Sequence, residues 1–219
     1  IAVNTSPQEL SVEVTDTNGF PPDQRDNTTM SVNESTIEFS ITPDNSSFHF
    51  YEKGEKYLKD IAQTIQFTNV EGEHWFYFEG GVLKTIYSPT LDQKINIILN
   101  FAFVASFYWN ATDEKVEIDI ADERHGISMS PATHLSQHIK DGAYHVSGLS
   151  LGGITADGSG DDDFEAQYSV SNGQYNDEDL SHVIDYVAVG DSIPVVYNID
   201  SDQKLRSEIN PTRLRSESK

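Results

Sequence analysis

The chain contains no cysteine among its 219 residues. Without thiols it can form neither a disulfide framework nor a thiolate metal site. Long hydrophobic runs are also missing, because the longest apolar run, Ile95 to Trp109, is interrupted by Asn96 and Asn100. That run is too short and too polar to span a bilayer, so we predict no membrane-spanning segment.

Basic residues are scarce: 14 Lys and Arg stand against 36 Asp and Glu, a formal net charge of -22. A phosphate backbone or an anionic membrane surface needs a basic footprint, so neither nucleic acid nor membrane is a predicted partner.

Five of the 14 basic residues lie in the last sixteen positions, opposed only by Glu208 and Glu217. This basic tail favours docking onto an acidic neighbour, for instance another copy of the chain. A solvated, mobile terminus is an equally good interpretation.

Much of what is present follows the two-residue period of β-strands. In "STIEFSIT" Ile37, Phe39 and Ile41 alternate with polar neighbours, and "SFHFYEKGEKYL" is typical of two strands around a Lys-Gly turn. The pair Gly80-Gly81 marks the bend of a further hairpin. Strand alternation also returns after residue 142, with Gly- and Asp-rich turns between the strands.

The stretch "FAFVASFYWN" predicts a strand that is buried on both sides. Alternation places every second residue on the same face. One face carries Phe101, Phe103, Ala105, Phe107 and Trp109, and the opposite face carries Ala102, Val104, Ser106 and Tyr108. Both faces are largely apolar, as in a central strand between two layers.

These patterns predict a mainly β fold with two small β-sandwich-like domains, a short joining helix and extended terminal arms. The predicted segments are an N-terminal arm or linker (1–35), a β domain (36–120), a helical junction (121–142), a second β domain (143–198) and a basic C-terminal arm (199–219). The first segment is assigned to a linker because "NGFPPDQRDNTT" is polar and broken by proline.

Aromatic side chains at alternate strand positions are expected in the core. They include Trp75, Tyr77, Phe101 and Trp109. Only aromatics in turns, such as Phe20 or Tyr175, are predicted to be free to meet a ligand.

The junction contains "ADERHGISMSPATHLSQH", whose residue types are those of catalytic and metal sites. Ser130 followed by Pro131 is typical of a helix start, and Gly142 of a helix end. "PATHLSQHIKD" is therefore predicted to form a helix of about three turns. Before it, Glu123 and Arg124 suggest an ion pair and Gly126 a special backbone angle.

His134 and His138 are four residues apart and share one face of that helix, so they could bind a metal. A third ligand could come from His125, His145 or Glu123. The sequence His-Leu-Ser-Gln-His lacks the Glu base of a zincin. We favour surface or interface histidines and predict no metal site.

A nucleophile would have to be Ser128 or Ser130 with His125 and Asp122. Neither serine lies in G-x-S-x-G, and this close spacing does not hold triad geometry, so we predict no catalytic residues.

The acidic stretch "DGSGDDD" does not fit the EF-hand register. A weak loop site for calcium from Asp157, Asp161 and Asp163 stays open beside a solvated acidic turn. No other pair of carboxylates is marked for glycoside cleavage. We predict no cofactor.

Several stretches together resemble a family of tailed-bacteriophage virion proteins from the tail, fibre and baseplate. They are "FHFYEKGEKYLKDIAQTIQFTNVEGEHWFYFEGG", "FAFVASFYWNATDEKV", "DERHGISMSPATHLSQHIKDGAYHVSGLSLGG" and "YNDEDLSHVI". The resemblance covers about Thr36 to Asn198, and its most specific element is "ERHG", a residue, Ser, Met and then "ATH", with "SGLSLG" downstream. It implies β-rich domains in a multi-copy virion assembly, with no catalytic residues to transfer.

We therefore expect a non-enzymatic structural component of a phage tail, as fibre, baseplate or adaptor protein. The resemblance implies contacts with other tail proteins and with copies of the same chain, in a trimer or hexamer. The alternative is a receptor- or carbohydrate-binding module that recognises the host surface, which clustered exposed aromatics would favour. A hydrolase acting on the host envelope is a third hypothesis.

Overall fold

The computed structural model describes residues 17–140, 142–152, 168–178, 180–191, 195–199 and 204–208. Within these ranges the chain is mainly β, as predicted, with antiparallel sheets and three helices. The helices are α1 (Pro22–Arg25), α2 (Leu91–Asn100) and α3 (Pro131–Lys140). The division into two domains stays a prediction.

Nine strands form what we call the N-terminal β unit. They are β1 (Thr28–Asn33), β2 (Glu38–Pro43), β3 (Phe48–Glu52), β4 (Glu55–Lys59), β5 (Gln63–Gln66), β6 (Gly72–Glu79), β7 (Val82–Tyr87), β8 (Ala102–Asn110) and β9 (Lys115–Asp122). They pair as a three-stranded sheet (β1-β2-β5), a hairpin (β3-β4) and a four-stranded sheet (β7-β6-β8-β9). The two predicted hairpin bends, at Lys53-Gly54 and Gly80-Gly81, are confirmed.

Among the described residues, seven strands follow α3. They are β10 (Ala143–Gly148), β11 (Leu151–Gly152), β12 (Ser169–Val170), β13 (Gly173–Asp177), β14 (Leu180–Ile184), β15 (Val195–Ile199) and β16 (Lys204–Glu208). Strands β10-β13-β14 form the C-terminal sheet, and β15-β16 form the C-terminal hairpin. The sequence predicts a turn over "SNGQYNDED", but most of this stretch is β13, whose partner strands supply its backbone hydrogen bonds.

The core of the N-terminal β unit is built largely from phenylalanine. Phe39 on β2 stacks on Phe76 on β6 at a ring-centroid distance of 4.2 Å, so the core lies between the two sheets. A second apolar cluster lies beside α2, where Trp75 stacks on Phe103 at 4.2 Å. Helix α2 was not predicted, although a capping box between Thr90 and Gln93 starts it.

Strand β8 is buried on both faces, as predicted, but its alternation is interrupted. Phe76 pairs with Ala105 whereas Tyr77 pairs with Phe103, so Val104 is an extra residue in the ladder. Such a bulge exchanges the two faces of a strand. Phe103 therefore packs in the cluster beside α2 and Phe107 in the main core, and the prediction that they share a face is wrong.

Residues 18–33 belong to the fold, which corrects their assignment to a linker. Asn18 is buried; its amide donates to Leu99 O at 2.7 Å and its oxygen accepts from Lys53 N at 2.6 Å. Phe20, predicted to be free for a ligand, is 1% exposed and packs with Phe48 and Phe50. The polar, proline-containing sequence around Phe20 gave no sign that this ring is buried in the core.

The described part of the basic C-terminal arm contacts its own chain. Arg206 Nη1 on β16 lies 2.6 Å from Glu71 Oε1, and the Ser207 backbone N–H donates to Glu117 Oε2 at 2.7 Å. Arg213, Arg215 and Lys219 lie outside the described residues. Docking of the arm onto an acidic neighbour in another molecule stays a prediction.

Candidate functional site

Helix α3 presents His134 and His138 from one face, and its predicted limits are confirmed. Ser130 Oγ accepts a hydrogen bond from Thr133 N at 3.2 Å, which caps the helix start before Pro131. Gly142 has a positive φ of 50° and donates its N–H to Gln137 O at 2.8 Å. The four-residue spacing then brings the two imidazole centroids within 4.8 Å of each other.

His125 reaches the same place from the segment after β9. Gly126 has the predicted special angle, with φ at 91°, and a Cβ there would lie 3.0 Å from His134 Nδ1. Glycine therefore lets this segment approach α3 closely enough for the rings of His125 and His134 to lie 4.7 Å apart.

Glu178 completes the group from the turn between β13 and β14. Its side chain is buried, with 1% exposed. Its Oε2 lies 3.0 Å from His134 Nε2 and 3.9 Å from His125 Nδ1, and its Oε1 lies 2.7 Å from His138 Nδ1. We name His125, His134, His138 and Glu178 the histidine cluster.

The candidate ligand atoms of the histidine cluster lie close to one another. One candidate ligand atom from each of the four residues lies within 4.8 Å of all the others. His134 Nε2 and both Glu178 oxygens are buried, and none of them has a partner in hydrogen-bonding geometry among the described residues. Buried polar atoms usually have a hydrogen-bond partner, and side-chain nitrogen and oxygen atoms grouped in this way could hold a metal ion.

Glu123 stands behind this group. Its Oε2 lies 3.5 Å from His125 Nε2 and 3.4 Å from His138 Nε2. Burial alone would raise the pKa of Glu123, but the two imidazoles outweigh it and lower that pKa to about 2. Burial likewise favours a lower pKa for His138, yet Glu123 and Glu178 raise it to about 9.

Of the two predicted interpretations of His134 and His138, surface or interface histidines, the surface position is wrong for His134. His125 and His134 are buried at 6% and 4% exposure. The predicted ion pair between Glu123 and Arg124 is also wrong, because Arg124 Nη2 pairs with Asp122 Oδ2 at 2.7 Å. The same guanidinium donates to Thr28 O at 2.6 Å, which ties the junction to β1.

The other sequence candidates do not join the histidine cluster. Asp122 is bound by Arg124, and Ser130 Oγ caps α3, so neither is placed for a triad with His125. His145 lies on β10, where its Nε2 is 2.8 Å from Gly148 O. The acidic stretch with Asp157, Asp161 and Asp163 lies outside the described residues.

Sequence reasoning named three of the four residues of the cluster and missed Glu178. Within the described part of the chain, Glu178 belongs to a turn forty residues beyond His138 and carries no spacing signal. Only the pairing of β13 with β14 brings it back to α3. Its positive φ of 54°, unusual for a residue with a side chain, marks the tight turn that aims it.

A cleft of about 870 Å³ opens beside the histidine cluster, between β9 and the C-terminal sheet. His125 contributes to its wall. The charged and aromatic side chains that line the cleft include Arg25, Asp119, Asp122, Arg124, Tyr175, Asp177 and His182. Tyr175 and His182 stack with centroids 4.8 Å apart, and both line the cleft together with charged and apolar side chains.

Comparisons with protein-family models, with curated proteins and with solved structures give no match. Among the described residues, the helices are too short and polar to cross a membrane.

Proposed function

We propose that this chain is a non-enzymatic structural component of a bacteriophage tail that makes subunit contacts in a multi-copy assembly. One observation carries the proposal: in the described part of the chain, the strands that follow α3 expose apolar side chains and share in neither hydrophobic core. A β-sheet without a covered apolar face is marginal alone and is stabilised by a neighbour.

The burial of apolar side chains differs sharply along the described chain. All eighteen buried hydrophobic residues lie between Phe20 and Trp109. By contrast, half of the sixteen exposed large apolar side chains follow α3, although that part supplies only about a quarter of the described residues. They are Tyr144, Val146, Leu151, Val183, Tyr186, Val189, Val196 and Tyr197. Exposed apolar groups at this density favour protein contacts.

The resemblance to tail proteins supports the same proposal. Its most specific stretch, "ERHG" with the following "ATH", supplies the buried side chains of Arg124, His125 and His134, and His134 contacts Glu178 beside the C-terminal sheet. A buried link has a structural use in holding two units in one orientation. The proposed partners are copies of this chain, as a trimer or hexamer, and other virion tail proteins.

The oligomeric state of the purified chain tests this proposal. We expect sedimentation equilibrium to give a trimer or hexamer, and the double variant Val183→Lys/Tyr186→Lys to dissociate it. Ile61→Lys is the matched control, because Ile61 is as exposed as these residues but lies in the N-terminal β unit. A wild-type chain that stays monomeric at high concentration would contradict the proposal.

The cleft favours a second candidate, a receptor- or carbohydrate-binding module for the host surface. The stacked Tyr175 and His182 offer a flat face to a sugar ring, and the charged rim offers hydrogen bonds to its hydroxyls. This candidate predicts binding of a host surface glycan that Tyr175→Ala abolishes and Tyr197→Ala, an exposed tyrosine outside the cleft wall, does not. If the oligomer binds no host surface glycan, this second candidate is contradicted and only the structural role remains.

A further inference from the structure

We propose that the histidine cluster binds one divalent first-row transition-metal ion, with Zn²⁺ as the best fit, as a structural centre. Three imidazoles and one carboxylate form the donor set, a combination common at zinc sites. The inference is independent of the proposed tail function, because it depends only on the geometry of these four side chains.

The spacing of the donor atoms suits a tetrahedral ion. With metal–ligand bonds of 2.0–2.1 Å, two ligand atoms of a tetrahedral zinc site lie about 3.3 Å apart. Glu178 Oε2 lies 3.0 Å from His134 Nε2 and 3.9 Å from His125 Nδ1, which brackets that value, and Glu178 Oε1 lies 2.7 Å from His138 Nδ1. Small side-chain shifts would bring all four to bonding distance.

Two largely buried carboxylates also favour a cation at this place. The side chains of Glu178 and Glu123 are 1% and 14% exposed, and together they carry two negative charges when the histidines are neutral. Buried charges are costly unless they are paired, and one dication would balance both. The guanidinium of Arg124, next to Glu123 in the chain, is already paired with Asp122.

Glu123 has the position of an outer-shell ligand partner. It faces the second ring nitrogen, Nε2, of both His125 and His138, while their Nδ1 atoms face Glu178. Metal-bound histidines characteristically donate their other N–H to a carboxylate, which fixes the ring and its tautomer. This arrangement explains why a second acid is buried behind the cluster.

The centre is inferred to be structural because four protein ligands fill a tetrahedral site. Its ligands come from three segments: the strand exit at His125, helix α3 and the β13–β14 turn. A bound ion would therefore cross-link the N-terminal β unit to the C-terminal sheet, as a disulfide does in a chain that has cysteines.

Metal titration of the full chain tests the proposal. After chelator treatment and dialysis, we expect one Zn²⁺ per chain by isothermal titration calorimetry, and intense tetrahedral d–d absorption when Co²⁺ is used instead. His134→Gln and Glu178→Gln should lose affinity by about 100-fold or more, and Glu123→Gln by about 10- to 100-fold. The matched controls, His145→Gln and Asp185→Asn, should keep the wild-type affinity.

Four results would overturn the proposal. One is a folded wild-type chain, judged by circular dichroism, that binds no Zn²⁺. Another is a His134→Gln variant with wild-type affinity, which would place the ion elsewhere. If the variants do not fold, the wild-type Co²⁺ spectrum decides, because a weak octahedral spectrum would exclude this centre. An unchanged melting temperature with and without Zn²⁺ would indicate a cluster held by protons alone.

Discussion

The N-terminal β unit and the C-terminal sheet are both antiparallel, yet they differ in what covers their faces. In the first, phenylalanines from several strands interlock between two sheets. In the second, β10 is exposed along its whole length, and Val183 on β14 is 75% exposed. Hydrophobic burial stabilises the first unit internally. The second contacts the rest of the described chain through the buried, polar histidine cluster.

The comparison teaches that polar groups can position a sheet that apolar burial does not. Polar and ionic contacts have strong directional requirements, so they define an orientation even where their net stabilisation is modest. The C-terminal sheet is thus held in a defined place through Glu178 while its apolar side chains remain available for neighbours.

The largest expected effect comes from breaking the aromatic core. Phe76→Ala removes a fully buried ring that stacks on Phe39, and we expect the free energy of unfolding to fall by about 3–5 kcal/mol. Denaturant unfolding monitored by circular dichroism measures the change. Val183→Ala, on the exposed sheet, should change that free energy by at most about 0.5 kcal/mol. Equal losses for the two variants would remove the distinction between the regions.

A smaller and more local effect is expected from Glu178→Gln. The change leaves His134 and His138 without their shared carboxylate, and breaking a buried charged contact costs about 3 kcal/mol. Hydrogen exchange should show faster exchange of the backbone amides of β13 and β14, with β6 and β8 unchanged. Asp185→Asn, an exposed acid just past β14, is the matched control. Faster exchange of β6 would mean that the two regions unfold as one.

Removing the cap of α2 should affect the N-terminal β unit alone. Thr90→Ala deletes the hydroxyl that accepts from Gln93 N, and we expect a loss of about 1 kcal/mol in the free energy of unfolding. Thr36→Ala, at an exposed turn, controls for the loss of a threonine. Protection of β13 and β14 from hydrogen exchange should not change, and a change there would show coupling through α2 and α3.

The smallest expected effect is a pH dependence of the docked C-terminal hairpin. Burial alone would raise the pKa of Glu71, but Arg206, the Ala111 N–H and the Tyr108 hydroxyl lower it below its ordinary value. A lowered folded-state pKa gives stability that is present above the unfolded pKa, about 4.3, and is lost as the pH falls toward the folded value.

The variant Arg206→Gln isolates this effect. Its melting temperature should lie below that of the wild type at neutral pH, and the difference should shrink as the pH falls through about 4. Lys204→Gln, on the same strand, is the control with the same loss of charge. A difference that is constant with pH would mean that Arg206 acts through packing.

Local features of the fold could be predicted because they depend on neighbouring residues. The start of α3 at Ser130 and Pro131 and the bend at Gly80-Gly81 follow from capping and turn chemistry. The shared face of His134 and His138 follows from the helical repeat. The capping box of Thr90 and Gln93 is also a local signal and predicts the start of α2. The helix was missed because its apolar residues continue, after Asn100, into the apolar residues of β8.

Other features could not be predicted because they depend on tertiary structure. The extra residue in β8 that separates Phe103 from Phe107 is defined by pairing with β6 and not by alternation along the strand. The burial of Phe20 depends on rings from β3 and β6. Glu178 meets α3 only after β13 and β14 have paired, so the sequence could name the histidines without their carboxylate.

The position of Glu178 in the chain has a consequence for synthesis on the ribosome. Domains generally fold as units, the N-terminal one first, while translation continues. The buried hydrophobic residues between Phe20 and Trp109 have all been made before His125, His134 and His138, and Glu178 is added last. Closure of the cluster is therefore a late, vectorial step. Until then the nascent chain carries three converging imidazoles whose acidic partner has yet to emerge.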